Sequence, residues 1–158
     1  MHPFTVLFAA LLVAGLALRL WLLGRQIRAV AASRDRVPAE FSGTISGAQH
    51  AKAADYTITL AKYSRLHAVF DAGLLSLLTI GGGIARMDSA IAGTGLTGLA
   101  RGIAVIAGTT LLLAILDLPF STWRTFRIES RFGFNRTTPA LFALDHLKGL
   151  AISALILL

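Results

Sequence analysis

Cysteine is absent from the 158 residues. Disulfide-stapled secreted modules and thiolate zinc sites are excluded on that ground, and no redox compartment can be read from the chain. Charge is scarce as well: 15% of residues are ionisable Asp, Glu, Lys or Arg, and the 8 acidic residues are outnumbered by 15 basic ones. A disordered tail or a coiled coil needs denser charge or sustained heptads, so both are excluded. No H-E-x-x-H pair, P-loop, Ser-His-Asp order or internal repeat is visible. What is abundant is apolar surface. Hydrophobic residues make up 55% of the chain and the mean hydropathy is +0.70, against ~45–50% apolar residues in a soluble domain. The formal charge of +7 does not argue for nucleic acid, because the basic residues cluster beside apolar runs. The composition is that of an integral membrane protein whose first partner is the lipid bilayer.

Four apolar runs have the length to cross a ~30 Å hydrocarbon core. They cover about residues 4–24, 67–86, 101–120 and 141–158. The first is broken only by Arg19, is preceded by no Lys or Arg, and is followed by Arg25 and Arg28 before the small residues Ala29-Val30-Ala31. This arrangement favours an uncleaved anchor over a signal peptide. The last run carries Asp145, His146 and Lys148 in its first turns and is still apolar at Leu158, so either the fourth span just fits or this is an N-terminal piece of a longer protein. The expected fold is therefore all-α, an integral membrane bundle of about four transmembrane helices with a juxtamembrane helix.

Lys and Arg concentrate in two loops, 25–66 and 121–140, and the positive-inside rule assigns both to the cytoplasm. The N-terminus and the Gly-rich middle loop then lie outside. Within the first loop, Val37-Pro38-Ala39-Glu40-Phe41-Ser42-Gly43 reads as a breaker, and Gln49 to Arg65 reads as helix. Ala51, Ala54, Ile58, Ala61 and Arg65 recur at three or four residues, so this helix should run straight into the second span with Lys62 and Arg65 snorkelling at its edge.

Two patterns imitate sites. Gly93-Thr94-Gly95-Leu96-Thr97-Gly98 matches G-x-G-x-x-G, but no strand precedes it and the segment up to Asp117 has the length of a membrane span, so dinucleotide binding is set aside. Gly81-Gly82-Gly83, Gly102 and Gly108 have a simpler use as hinges or close helix contacts. His67 and Asp71 share one helix face at metal-ligand spacing, yet two ligands do not make a site, and this chain by itself should bind no metal.

The densest signal runs from Leu118 to Arg136 and on to Asp145 and Lys148. Pro119 can kink a helix at the membrane edge and Trp123 can anchor there. Gly133 can end a helix, Asn135 can fix a turn by bonding neighbouring backbone, and Thr137 or Thr138 can cap the next helix before Pro139. Glu129 stands alone among four arginines, and a desolvated carboxylate needs a partner, with Arg127, Arg131 and Arg136, or an arginine from a part of the protein beyond this chain, as the candidates. Asp145 and Lys148 lie at membrane depth, where ionisable groups usually pair or serve a pathway.

These residues resemble the membrane-integral zinc metalloproteases of the type-1 CAAX prenyl protease (sterile-twenty-four) family. The resemblance rests on Pro119, Trp123, Phe126, Ile128-Glu129, Phe132-Gly133-Phe134-Asn135, Thr138, and Asp145 with Lys148. Lys52-Ala53-Ala54-Asp55-Tyr56 and Lys62-Tyr63, leading into a long apolar span, extend it over most of residues 38–158. It implies that the chain is the N-terminal transmembrane domain, walling an intramembrane chamber above which a zinc centre cuts peptide bonds with metal-activated water. The family's H-E-x-x-H helix and later glutamate lie beyond the matched region and are not in this chain, so no catalytic residue is assigned to it. Pro119, Phe126, Glu129, Gly133, Phe134, Asn135, Asp145 and Lys148 are assigned instead to the chamber or its interface. The implied partners are a C-terminal metalloprotease part, with its zinc, and a peptide substrate, either prenylated CAAX-type or a membrane-protein segment. Richness in alanine and glycine points to a bacterial inner membrane. The alternative from another class is a non-catalytic four-helix membrane module, such as an assembly factor, adaptor or transporter component.

Overall fold

Proline at the first helical position loses only an amide that would lack a partner anyway, and Pro3 opens α1 (Pro3–Ser33) with the His2 imidazole accepting from the Phe4 N–H at 3.2 Å. The computed structural model describes residues 2–41 and 43–157. After α1 comes one 3-10 turn at Ala39–Phe41 and then α2 (Gly47–Thr79). A capping box starts α2: Ser46 Oγ accepts the Gln49 N–H at 3.2 Å and Gln49 Oε1 accepts the Ser46 N–H at 2.9 Å. The juxtamembrane helix and the second apolar run are thus one element of 33 residues. At ~1.5 Å per residue it is ~50 Å long, so its N-terminal turns stand outside a ~30 Å core. Ala54, Ala61 and Ala68, each under 7% exposed, recur every seven residues along α2. Such a stripe of small residues lets a neighbouring helix approach closely, and α1 packs along α2.

The run 67–86 is not the single helix its composition suggested. α2 ends at Thr79, and α3 (Gly83–Ala92) leaves at a bend of 49°. The glycines are the cause. Gly82 has φ 73°, and a Cβ on Gly81 or Gly83 would stand 2.5 Å from the Leu77 carbonyl oxygen or 2.9 Å from Leu78 Cα. The G-x-G-x-x-G segment is the turn from α3 into α4 (Gly98–Trp123), with Gly95 at φ 84° and Gly98 at φ 56°. No strand precedes it among the described residues.

Pro119 sits inside α4 rather than closing it. The helix continues through a π-helical turn, Arg124–Glu129, into the short α5 (Ser130–Phe132), and α6 (Pro139–Leu157) follows. Thr138 Oγ1 caps α6 by accepting the Leu141 N–H at 3.3 Å. Three continuous helical segments, Pro3–Ser33, Gly98–Phe132 and Pro139–Ile156, are long and apolar enough to cross a membrane, and the bent pair α2–α3 makes a possible fourth. Their apolar side chains face outward. Leu11, Val13, Leu99, Leu155 and Ile156 are each more than 60% exposed, an arrangement that water would penalise and lipid satisfies. The architecture is an all-α membrane bundle.

Candidate functional site

The segment from Arg124 to Thr138 is held by its own backbone before it touches anything else. Gly133, at φ 78°, lets the chain reverse after α5. The Phe134 N–H then donates to the Glu129 carbonyl at 2.9 Å and the Gly133 N–H to the Ser130 carbonyl at 3.1 Å. This is a Schellman closure, which satisfies carbonyls that a helix end leaves bare. Asn135 completes the reversal, accepting the Thr137 N–H at 2.7 Å on Oδ1 and donating from Nδ2 to Ser130 Oγ at 3.0 Å. Asn135 thus fixes the turn through neighbouring backbone, as its side-chain chemistry indicated.

The closed loop docks on α2. Tyr56 lies between Phe132 and Phe134, edge to face with both, at ring separations of 5.3 and 4.8 Å. Lys52, one helical turn earlier, places its ammonium 5.8 Å from the Phe134 ring centre. Two sequence patterns some 80 residues apart, Lys52–Tyr56 and Phe132–Asn135, therefore form one structure. Its outer edge is tied to α1. Arg34 Nε and Nη2 grip the two Asp55 carboxylate oxygens at 2.7 and 2.8 Å, and His50 Nε2 lies 3.0 Å from the Ser33 carbonyl. The Arg34 hydrogen bond holds the Asp55 carboxyl below the usual carboxylate range, and Asp55 belongs to the part of α2 that stands clear of the hydrocarbon.

Glu129 is paired, but with an arginine outside the three candidates. Arg124 Nε donates to its Oε1 at 3.2 Å. The π-helical turn supplies the reason: with a wider turn, residues five apart come into register, which neither the α-helical four nor simple adjacency would suggest. Arg127 and Arg131 are left pointing elsewhere. Phe126 meets Phe142 of α6 edge to face at 5.2 Å, so the motif segment also touches the last helix. Asp145 and Lys148 are exposed on α6 and make no ion pair among the described residues. It is His146 that turns towards α4, its Nδ1 donating to the Phe142 carbonyl at 2.8 Å and its Nε2 lying 3.4 Å from Ser121 Oγ.

One constellation was only half visible in the sequence. His67 Nε2 lies 2.7 Å from Asp117 Oδ1 and Nδ1 lies 3.3 Å from Asp71 Oδ2, so the ring stands between two carboxylates and links α2 to α4. Tyr63 stacks on the ring at 5.8 Å and Phe120 meets its edge at 4.8 Å. An aspartate inside an apolar run needs a partner, and that rule applied to Asp117 calls for one without naming it. The two carboxylates contact opposite nitrogens of one ring, so the group does not converge on a point. Among the described residues no three His, Asp or Glu side chains are placed to hold a metal ion, and these residues do not fit a zinc site.

Fold and site together define an integral-membrane helical domain with a docked aromatic-glycine loop at its basic end. The family model described as CAAX prenyl protease N-terminal, five membrane helices, matches residues 26–158, and the chain belongs to that family. Among curated relatives, the CAAX prenyl protease 1 homolog of Oryza sativa subsp. japonica is 28% identical over 127 residues, 76% of this chain and 30% of that protein. The Caenorhabditis elegans homolog is 31% identical over 149 residues, 92% of this chain and 33% of that one. The crystal structure of S. mikatae Ste24p superposes with a TM-score of 0.85 at 21% identity, over 99% of this chain and 37% of that chain. The chain spans about a third of the length of these relatives.

Proposed function

We propose that this chain is the transmembrane chamber wall and scaffold of a membrane zinc metalloendopeptidase, working with a C-terminal metalloprotease part that carries H-E-x-x-H and the zinc. The observation behind this reading is the docked loop. Phe132-Gly133-Phe134-Asn135 is locked by backbone bonds and seated on Tyr56, so a rigid edge stands at the basic end of the bundle. A second part of the enzyme can be registered against such an edge. The substrate on this reading is a membrane-associated peptide, prenylated CAAX-type or a membrane-protein segment. The basic loops face the cytoplasm and the N-terminus lies outside. The alanine- and glycine-rich composition favours a bacterial inner membrane, although the relatives named above are eukaryotic.

The test uses a parent enzyme containing this domain. Glu129→Gln and Asn135→Ala should each lower cleavage of a farnesylated peptide by about tenfold, the rate equivalent of one lost hydrogen bond, while zinc content measured by metal analysis stays unchanged. Wild-type rates in both variants would make these residues ordinary loop structure and would overturn their assignment to the site. Orientation has its own measurement, made simple by the natural absence of cysteine. Cysteine at position 46 in place of Ser46 should resist an impermeant external thiol reagent, and cysteine in place of Thr94 should react. The reverse labelling overturns the topology.

A further inference from the structure

Of the cations at the basic end, Arg34 and Arg124 are engaged by carboxylates. Lys62, Arg127 and Arg131 make no ion pair among the described residues. All three line one cavity of about 810 Å³ between α2 and the segment that follows α4. Helical spacing explains the convergence. Thr59, Lys62, Tyr63 and Leu66 form one face of α2, at i, i+3, i+4 and i+7, while Trp123, Phe126, Arg127 and Arg131 form the facing side. No carboxylate lines the cavity. Glu129 is turned to Arg124, and Asp117 to His67.

The level of the cavity along the bundle decides what fits it. The apolar run of α4 ends at Phe120 and that of α2 begins at about His67. Residues 59–66 and 123–131 therefore stand at the boundary between hydrocarbon and water, where aromatic side chains such as Trp123 gather. Of the lining residues, Leu66 and Trp123 stand nearest the apolar runs, and Lys62, Arg127 and Arg131 stand one or two helical turns further out along their segments. A site with apolar lining towards the hydrocarbon and positive charge without an ion-pair partner at headgroup height has the polarity of an anionic phospholipid. A soluble acidic peptide would match the cations and leave Leu66, Trp123 and Phe126 unused.

We propose that the cavity between α2 and the Arg124–Phe132 segment is a binding site for the headgroup of an anionic phospholipid, with Lys62, Arg127 and Arg131 holding the phosphate and Trp123 and Phe126 packing on the upper acyl chain. The site makes no use of the peptidase reading and its test requires no cleavage. A lipid seated there fills the gap between two segments that also meet through Tyr63, His67 and Phe70 against α4.

Trp123 reports on the site directly. The chain has two tryptophans, and Trp21→Phe leaves Trp123 as the sole fluorophore. The protein is placed in nanodiscs of phosphatidylcholine containing one-fifth phosphatidylglycerol, with dibromo acyl chains on one lipid or the other. Quenching should show phosphatidylglycerol enriched about fivefold or more beside Trp123, the scale that one or more interfacial cations provide. In Lys62→Gln/Arg127→Gln/Arg131→Gln the enrichment should fall to about one, whereas Arg86→Gln, remote from the cavity, should keep it. The charge-retaining Lys62→Arg/Arg127→Lys/Arg131→Lys should also keep it, which guards against misfolding of the neutral variant. Equal quenching by the two lipids in the unsubstituted site overturns the proposal, as does enrichment that survives the triple neutralisation. Displacement of the brominated lipid by millimolar glycerol phosphate would assign the site to a soluble phosphate, and displacement by a hexaglutamate peptide to an acidic segment. Either result overturns the lipid assignment.

Discussion

The two ends of the bundle both reverse the chain at glycine, and they are built in opposite ways. At the Gly-rich end, Gly82, Gly95 and Gly98 take positive φ, and the turns join helices that are consecutive in sequence. Among the contacts that hold them across space are the fork of Arg101 Nε to Asp88 Oδ1 at 2.7 Å with a second bond from Nη2 to Oδ2, the Thr109 hydroxyl donating to Met87 Sδ at 3.3 Å, and the packing of Met87 beside Gly108. At the basic end, Gly133 also takes positive φ, but its loop is bonded to itself and seated on a helix some 80 residues earlier. A glycine turn alone is a local device. A glycine turn that presents two aromatic rings to a distant tyrosine is a tertiary one.

The comparison can be broken most strongly at Tyr56. Tyr56→Ala removes both aromatic contacts of the loop and should destabilise the domain by ~2 kcal/mol, taking ~0.5–1.5 kcal/mol per aromatic pair beyond area burial. The melting temperature in detergent should fall, and hydrogen exchange at 132–137 should rise while 93–98 stays unchanged. If both loops loosen equally, the basic end is not held by that dock. Next in size, Gly133→Ala should cost about 1–2 kcal/mol, since a Cβ at positive φ is strained wherever it points. Gly149→Ala is its counterpart inside α6, with open space around the added methyl, and should stabilise by up to ~1 kcal/mol from helix propensity. Thermal unfolding of the two variants side by side tests the sign.

Gly108→Ala sharpens the other end. Its methyl would meet Met87 Sδ at 3.0 Å, whereas Gly102 has open space. Met87 is flexible enough to give way, so Gly108→Ala should cost under ~1 kcal/mol and Gly102→Ala should be neutral or favourable. A larger loss at Gly102 would show that the open side of α4 is covered by another helix. The smallest effect is the pH response of the Arg34–Asp55 fork. Asp55 is held below its ordinary value by Arg34. Its contribution to stability is therefore full above the unfolded aspartate value of about 3.9 and is lost as pH falls through the lower folded value. Arg34→Gln should flatten the acid side of the stability profile below about pH 4, read by chemical denaturation in detergent. An unchanged profile would show the fork to be a surface pair without thermodynamic weight.

The membrane character, the helical class and the run of α2 from the juxtamembrane segment into the apolar stretch were legible in the sequence. They depend on composition and on periodicity within one helix, which a chain carries locally. Local chemistry also foretold the Gly133 stop, the Asn135 turn and a threonine cap at 137 or 138, of which the structure uses Thr138, because each is a contact within a few residues. The partner of Glu129 was not legible. The π-helical turn brings Arg124 round to it, and helix counting at 3.6 residues per turn misses that register. The bend at Gly81–Gly83 was legible as a hinge but not as a break in the second run, since hydropathy is blind to backbone handedness. The joining of Asp117 to His67 and of Lys52 and Tyr56 to the Phe132–Phe134 loop, and the gathering of Lys62, Arg127 and Arg131 around one cavity, were decided by packing alone. Which faces of two helices meet depends on their rotation and offset against each other, and the small residues Ala54, Ala61 and Ala68 permit a close approach without naming the helix that makes it.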